Sequence, residues 1–171
     1  MARRGASGAT LIELAVYMVI AATLAVIVVQ SYRGGEIKAR YQAERLRSDL
    51  RHAQMLALSR SQPLRFSASA GSPGSYSVLS LAAAGCAASV FTDPATGSSF
   101  SVQLDAGMTL TASPASFDFD ALGRPASCSG TPCSCTVGTA SDPAATYGVS
   151  GAGATYTVTV KRYTGLVSVT P

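Results

Sequence analysis

Histidine occurs once, at His52, in this chain of 171 residues, and charged side chains make up only 13 % of it. His52 falls on a predicted helix with no nucleophile beside it. It reads as a solvated helix residue, and no acid–base or nucleophilic constellation can be assembled around it. The phosphate-cradling GxxxxGK[ST] loop is missing, which excludes a motor activity in this chain, so the energy for any assembly has to come from elsewhere. The acidic loop and glycine of an EF-hand are missing too. Asp118 and Asp120 are therefore expected to be exposed strand carboxylates, with no metal and no cofactor implied. Nor is there a second long apolar run.

What the chain does have is one apolar block near its start. Hydrophobic residues are 47 % of the whole and the mean hydropathy is +0.28, but the excess is concentrated between Ala9 and Val29, where Glu13 is the only charge. As a helix these 21 residues would be about 31 Å long, enough for one crossing of a hydrocarbon core ~30 Å thick. A secretory signal places a short apolar core before its cleavage site. Here a polar prefix, MARRGASG, precedes a full-length span. Cleavage after Gly8 would leave the helix intact and create a new N-terminus at Ala9.

The net charge of +4 is unevenly placed. Between Arg33 and Arg65 eight cations face three acids (Glu36, Glu44 and Asp49), whereas from Phe66 onward five acids outnumber three cations, Arg124, Lys161 and Arg162. A nucleic-acid-binding head would be expected to show the opposite bias. The cations just past the apolar block outnumber Arg3 and Arg4 ahead of it, which by the positive-inside count favours a cytoplasmic head. The cysteines argue the other way, and a long domain translocates largely regardless of its charge. The expected orientation is a single-pass membrane protein with its head outside the cytoplasm.

Cys86, Cys128, Cys133 and Cys135 all follow the apolar block. Four cysteines allow three pairings. A Cys133–Cys135 bridge would strain disulfide geometry across a single residue. Two pairings stay open, each joining Cys86 to one member of that CxC and Cys128 to the other. A zinc cluster is disfavoured because the spacing is unusual and no histidine lies nearby.

Past the span, Ala39, Ala43, Leu46, Leu50, Ala53 and Ala57 recur at helical steps, with Glu36–Arg40 and Arg45–Asp49 as i,i+4 pairs and Pro63 as the stop. Gly34 and Gly35 read as a soft point, or as a boundary between two helices. From Leu64 the pattern changes to short strands: Leu64–Ser69, Tyr76–Leu81, Ser99–Leu104, Met108–Ala112, Ser116–Asp120, Tyr156–Lys161 and Leu166–Thr170. The last two form a hairpin around Tyr163-Thr164-Gly165. Gly71–Gly74, Ala82–Ser89 and Gly138–Gly153 read as surface loops. The fold class expected is α+β: a polar prefix at 1–8, an N-terminal helix at 9–62 with its membrane part at 9–30, and an antiparallel β-rich head at 63–171.

Gly8-Ala9-Thr10-Leu11-Ile12-Glu13-Leu14 resembles the type IV prepilin processing signature, with glycine before the cut and glutamate fifth in the mature chain; Ala9 stands where that family usually has phenylalanine. Phe117-Asp118-Phe119-Asp120-Ala121-Leu122-Gly123-Arg124-Pro125 is similar to the F-x-x-x-G-R segment of GspH/FimT-type minor pilins and pseudopilins and of the MSHA minor pilin, and the closing TVTVKRYTGLV is similar to their terminal hairpin. The resemblance implies a minor structural subunit of a type IV pilus or type II secretion pseudopilus, and no enzyme. A prepilin peptidase would process the chain at Gly8 and Ala9. It would then pass from membrane lipid into a periplasmic pseudopilus or an extracellular pilus, with an inner-membrane assembly platform and other pilin subunits as partners. Glu13 would meet the free Ala9 amine of a neighbouring subunit and set the axial register. Some FimT-type pilins bind DNA through a C-terminal G-R-x-R pattern. Here Gly165-Leu166-Val167-Ser168 stands in its place and only Lys161 and Arg162 could substitute. Two cations give weak, salt-sensitive phosphate binding, so nucleic acid is kept as the alternative partner.

Overall fold

The computed structural model describes residues 11–81, 84–138 and 144–171, the side chains at 27–34 and at 84 excepted. Its longest element is one helix, α1, Leu11–Arg60. The predicted stripe is its inner face, since Ala39, Ala43, Leu46, Leu50, Ala53 and Ala57 are all buried. Small residues dominate that stripe and let the helix axis approach the sheet closely. Of the two expected i,i+4 pairs, Arg45–Asp49 forms, at 3.9 Å. The helix ends in a Schellman motif, where the Gln62 N–H donates to Ala57 O (3.1 Å) and the Ser61 N–H to Leu58 O (3.2 Å). Ser61 takes the left-handed conformation there (φ 50°), a place more often held by glycine. Pro63 prevents any restart.

Gly34 and Gly35 neither break α1 nor divide it into two helices. Gly35 has a packing role instead, because a Cβ there would collide with the side chain of Ala152. Its missing side chain lets the turn at Ala152-Gly153 rest against the helix.

Among the described residues eleven strands follow: β1 Leu64–Ser69, β2 Ser75–Ser80, β3 Ser89–Val90, β4 Ser101–Gln103, β5 Thr109–Ser113, β6 Ser116–Phe119, β7 Pro125–Ser129, β8 Ser134–Val137, β9 Ala145–Gly151, β10 Ala154–Val160 and β11 Val167–Thr170, with a 3-10 turn at Ala84–Cys86 before β3. One antiparallel sheet runs β3-β2-β1-β6-β7-β8 with β4 also beside β2, and the other runs β11-β10-β9-β5. Gly71 and Leu110 exchange backbone hydrogen bonds of 3.1 and 3.0 Å and tie the sheets together. The helix lies chiefly over β9, β10 and β11. Phe66 sits at the centre of the core, with its ring centroid 5.5 Å from both Tyr76 and Tyr147 and 6.0 Å from Phe117.

All seven strands expected from the sequence form, with shifts at their ends, and β10 and β11 make the terminal hairpin. Four strands were not expected. The most consequential is β9, which occupies part of the stretch read as a loop, Gly138–Gly153. Ala145, Tyr147, Val149 and Gly151 are buried alternately along it, and β9 lies between β5 and β10. Small residues such as Gly148 are needed there, because a Cβ at Gly148 would crowd the Thr111 hydroxyl on the neighbouring strand. In β7 and β8 the serines, cysteines and Pro125 hide the strand pattern, and disulfides supply what apolar burial does not.

Candidate functional site

Two regions of the chain carry sequence signals of function: the exposed half of the helix and the turns at the far end of the head. The residues of the cleavage signature, Gly8 and Ala9, lie outside the described residues. Glu13 stands in the first described turn of α1. Around it Leu11 (90 %), Ile12 (75 %), Leu14, Val16, Tyr17 and Met18 are all exposed. A contiguous apolar surface of this kind marks a contact with a membrane or another protein. Among the described residues no helix is long and apolar enough to cross a membrane. The span read from Ala9 to Val29 begins among undescribed residues, and its side chains from position 27 onward are undescribed too.

The turn of the F-x-x-x-G-R segment is built on Asp120. Its carboxylate accepts the Leu122 N–H (2.9 Å), the Arg124 N–H (2.7 Å) and the Arg124 guanidinium (Nε 2.9 Å). Gly123 supplies the positive φ, 70°, that the turn requires. Asp118, one pleat earlier, takes a two-pronged contact from Arg65, at 2.7 and 3.0 Å, and accepts the Cys128 N–H at 3.1 Å. Both carboxylates are buried, at 5 and 6 % exposure, so the expectation that they face water is wrong. Charge-assisted hydrogen bonds offset the cost of burying a carboxylate, and here strand pairing and the adjoining turn place those donors within reach. Among the described residues no group of His, Cys, Asp and Glu is placed to hold a metal ion.

The terminal hairpin turns on Gly165 (φ 65°), and a Cβ there would stand 3.3 Å from Gly123 O, so the two turns abut. Gln54 of the helix lies under both. Lys161 is exposed, and the Arg162 guanidinium lies over the Tyr163 ring at 4.9 Å. The structure thus brings Lys161 and Arg162 to the same end of the head as Arg124.

The four cysteines form two bridges, Cys86–Cys133 and Cys128–Cys135. Cys128 and Cys135 face each other directly across the β7–β8 pair. His52 has a partner that its sequence neighbours do not reveal: its Nε2 lies 3.4 Å from the Asp93 carboxylate, and its ring meets Phe100 edge-on. His52, Asp93, Arg45, Asp49 and Ser99 line a polar cleft of about 280 Å³. The Tyr76 hydroxyl donates to Asp49 at 2.6 Å. Burial, and then that hydrogen bond, push the Tyr76 phenol well above its ordinary range.

The described residues form an N-terminal α-helix carrying an α+β head of antiparallel sheets. The chain belongs to the family described as type II transport protein GspH, whose model matches residues 42–166. Membership gives it a pseudopilin-like role in type II secretion, structural and in the cell envelope, in association with other pseudopilin subunits. No curated protein and no solved structure matches the chain.

Proposed function

We propose that the chain is a minor subunit of a type II secretion pseudopilus, or of a type IV pilus. In this reading a prepilin peptidase cuts between Gly8 and Ala9, residues 9–30 hold the subunit in the inner membrane, and the same helix then packs among other subunits on the assembly platform. The observation that carries the reading is the helix itself. Its second half is buried against the head, while the apolar side chains from Leu11 to Val26 are exposed around a lone carboxylate, Glu13. A carboxylate at a membrane centre costs ~2.5–3.5 kcal/mol on insertion scales. Glu13 lies only about 6 Å along the helix from Ala9, so its cost is smaller, and a neighbouring subunit's free amine would offset it in a filament.

Intact-mass measurement of protein extracted from the membranes of its native host tests the first step. A mature chain beginning at Ala9 is expected, 163 residues long after loss of the eight-residue prefix. A chain that keeps Met1 in cells with active assembly rules the reading out.

A further inference from the structure

Among its described residues the head contains two apolar clusters. The larger joins the helix to the strands around Phe66, Phe119, Tyr147 and Val158. The smaller consists of Leu81, Cys86, Ala126 and Cys128, with Cys133, Cys135 and Val137 packed against it, and shares no residue with the first. Both disulfides lie in the smaller cluster. Four of its seven members are cysteines, so little apolar surface other than sulfur holds it together.

Its attachment to the rest of the head is thin. β7 pairs with β6 at two positions, Asp118↔Ala126 and Phe119↔Pro125, and Pro125 has no N–H to donate to the ladder. The hinge turn between the two strands is held by the Asp120 N–H donating to Arg124 O and by the Asp120 carboxylate on Arg124; beyond that turn, the Cys128 N–H donates to Asp118 across the joint. On its far side β7 is paired with β8, the last strand of the sheet. A two-stranded hairpin of this length is marginal in water without a staple.

We propose that β7 and β8 form a redox-controlled flap along the edge of β6, stapled within itself by Cys128–Cys135 and clasped by Cys86–Cys133 to the 3-10 turn at Ala84–Cys86. While both bridges are intact the flap is closed. Reduction by a dithiol opens it: each S–S bond accepts two electrons and two protons to give two thiols, and the dithiol closes to its own disulfide. The flap then leaves, β6 is exposed along one edge, and Asp118 keeps Arg65 but loses the Cys128 N–H. The main cluster, which contains no cysteine, stays folded. A chain whose four thiols are still reduced therefore offers an open strand edge to its neighbours, and exchange with a disulfide-bearing oxidant, which takes up two electrons and two protons per bridge formed and becomes a dithiol, closes it. This inference does not depend on the filament reading.

Amide hydrogen exchange on the full chain in detergent micelles tests it, comparing oxidised protein, protein held in dithiothreitol, and a variant with all four cysteines changed to alanine. In the second and third samples the amides of residues 126–137 should exchange at least about tenfold faster than in the first, while β1, β9, β10 and the second half of α1 stay protected. Three results overturn the proposal. These are unchanged exchange in 126–137 on reduction, loss of protection in β9 and β10 together with β7 and β8, and absence of a protected core in the four-alanine variant.

Discussion

The Gln54 side-chain amide donates to two carbonyls at once, Gly123 O at 2.8 Å and Thr164 O at 3.1 Å. One helix residue thereby holds the Asp120 turn and the terminal hairpin turn in a fixed relation. Gln54→Ala should cost about 1–3 kcal/mol, because it leaves two carbonyls without their donor. Urea unfolding of the full chain in micelles measures it, and a loss below about 0.5 kcal/mol would mean that water replaces Gln54 freely.

Gly123→Ala should destabilise for two independent reasons. The backbone is left-handed there, and the new Cβ would stand 3.1 Å from the Gln54 carbonyl oxygen. Strain of this kind costs of order 1–3 kcal/mol. Because the crowded atom includes backbone, combining the change with Gln54→Ala should not rescue it, and a double-mutant cycle checks that.

The Tyr147 hydroxyl is buried with no hydrogen-bond partner among the described residues, and burial raises its phenol above the ordinary value of 10. Tyr147→Phe removes the unpaired group and keeps the ring against Phe66. Stability should rise by up to about 1–3 kcal/mol.

Tyr76 and Tyr147 also fix how stability falls in alkali. Both phenols are raised in the folded protein, so both stay neutral when folded while the unfolded chain ionises. Their contribution is complete below pH 10 and is lost as pH climbs above it, at up to about 2.7 kcal/mol per pH unit for two protons. Tyr147→Phe should halve that slope, and unfolding curves collected between pH 9 and pH 11.5 would show it.

The two disulfides should contribute unequally. Cys86–Cys133 closes a separation of 47 residues and Cys128–Cys135 one of 7. The chain-entropy relation gives about 4 and about 2.4 kcal/mol respectively. Removing the first pair as Cys86→Ala/Cys133→Ala should therefore lower the unfolding midpoint more than Cys128→Ala/Cys135→Ala. The reverse order would point to native-state effects.

Glu13→Gln keeps size and hydrogen-bonding capacity but removes charge. Insertion should become easier, and recovery of the variant in sheared filaments or support of secretion should drop. Glu13→Leu should insert better still and assemble no better. Equal performance of either variant with the parent protein would leave Glu13 without a role in assembly.

Most of the architecture is legible in the sequence because apolar periodicity is strong where burial is strong. The stripe from Ala39 to Ala57 and the alternation of Tyr156, Val158 and Val160 translate directly into the helix's inner face and β10. Legibility fails where small residues do the packing. In β9 the alternating positions are Ala145, Tyr147, Val149 and Gly151, and two of the four carry almost no side chain, so composition hides an interior strand. It fails again at Asp118 and Asp120, where alternation assigns a face but cannot see the Arg65, Arg124 and backbone donors that make burial tolerable. The His52–Asp93 pair joins residues 41 positions apart, and no local pattern announces it. Chain geometry leaves two cysteine pairings open, and the facing of Cys128 and Cys135 across β7 and β8 separates them.

The contact between Gly35 and Ala152 has a mechanical consequence. It lies near the first point at which the head grips the helix, and from there back to Leu11 the rod extends about 36 Å as a cantilever. A pivot of about 10° at that grip would swing the free end by about 6 Å, slightly more than one helical turn of ~5.4 Å. A docking step that depends on Glu13 meeting an amine therefore demands angular stiffness in the head far from the carboxylate, and even a methyl group added at Gly35 would tilt the rod out of alignment.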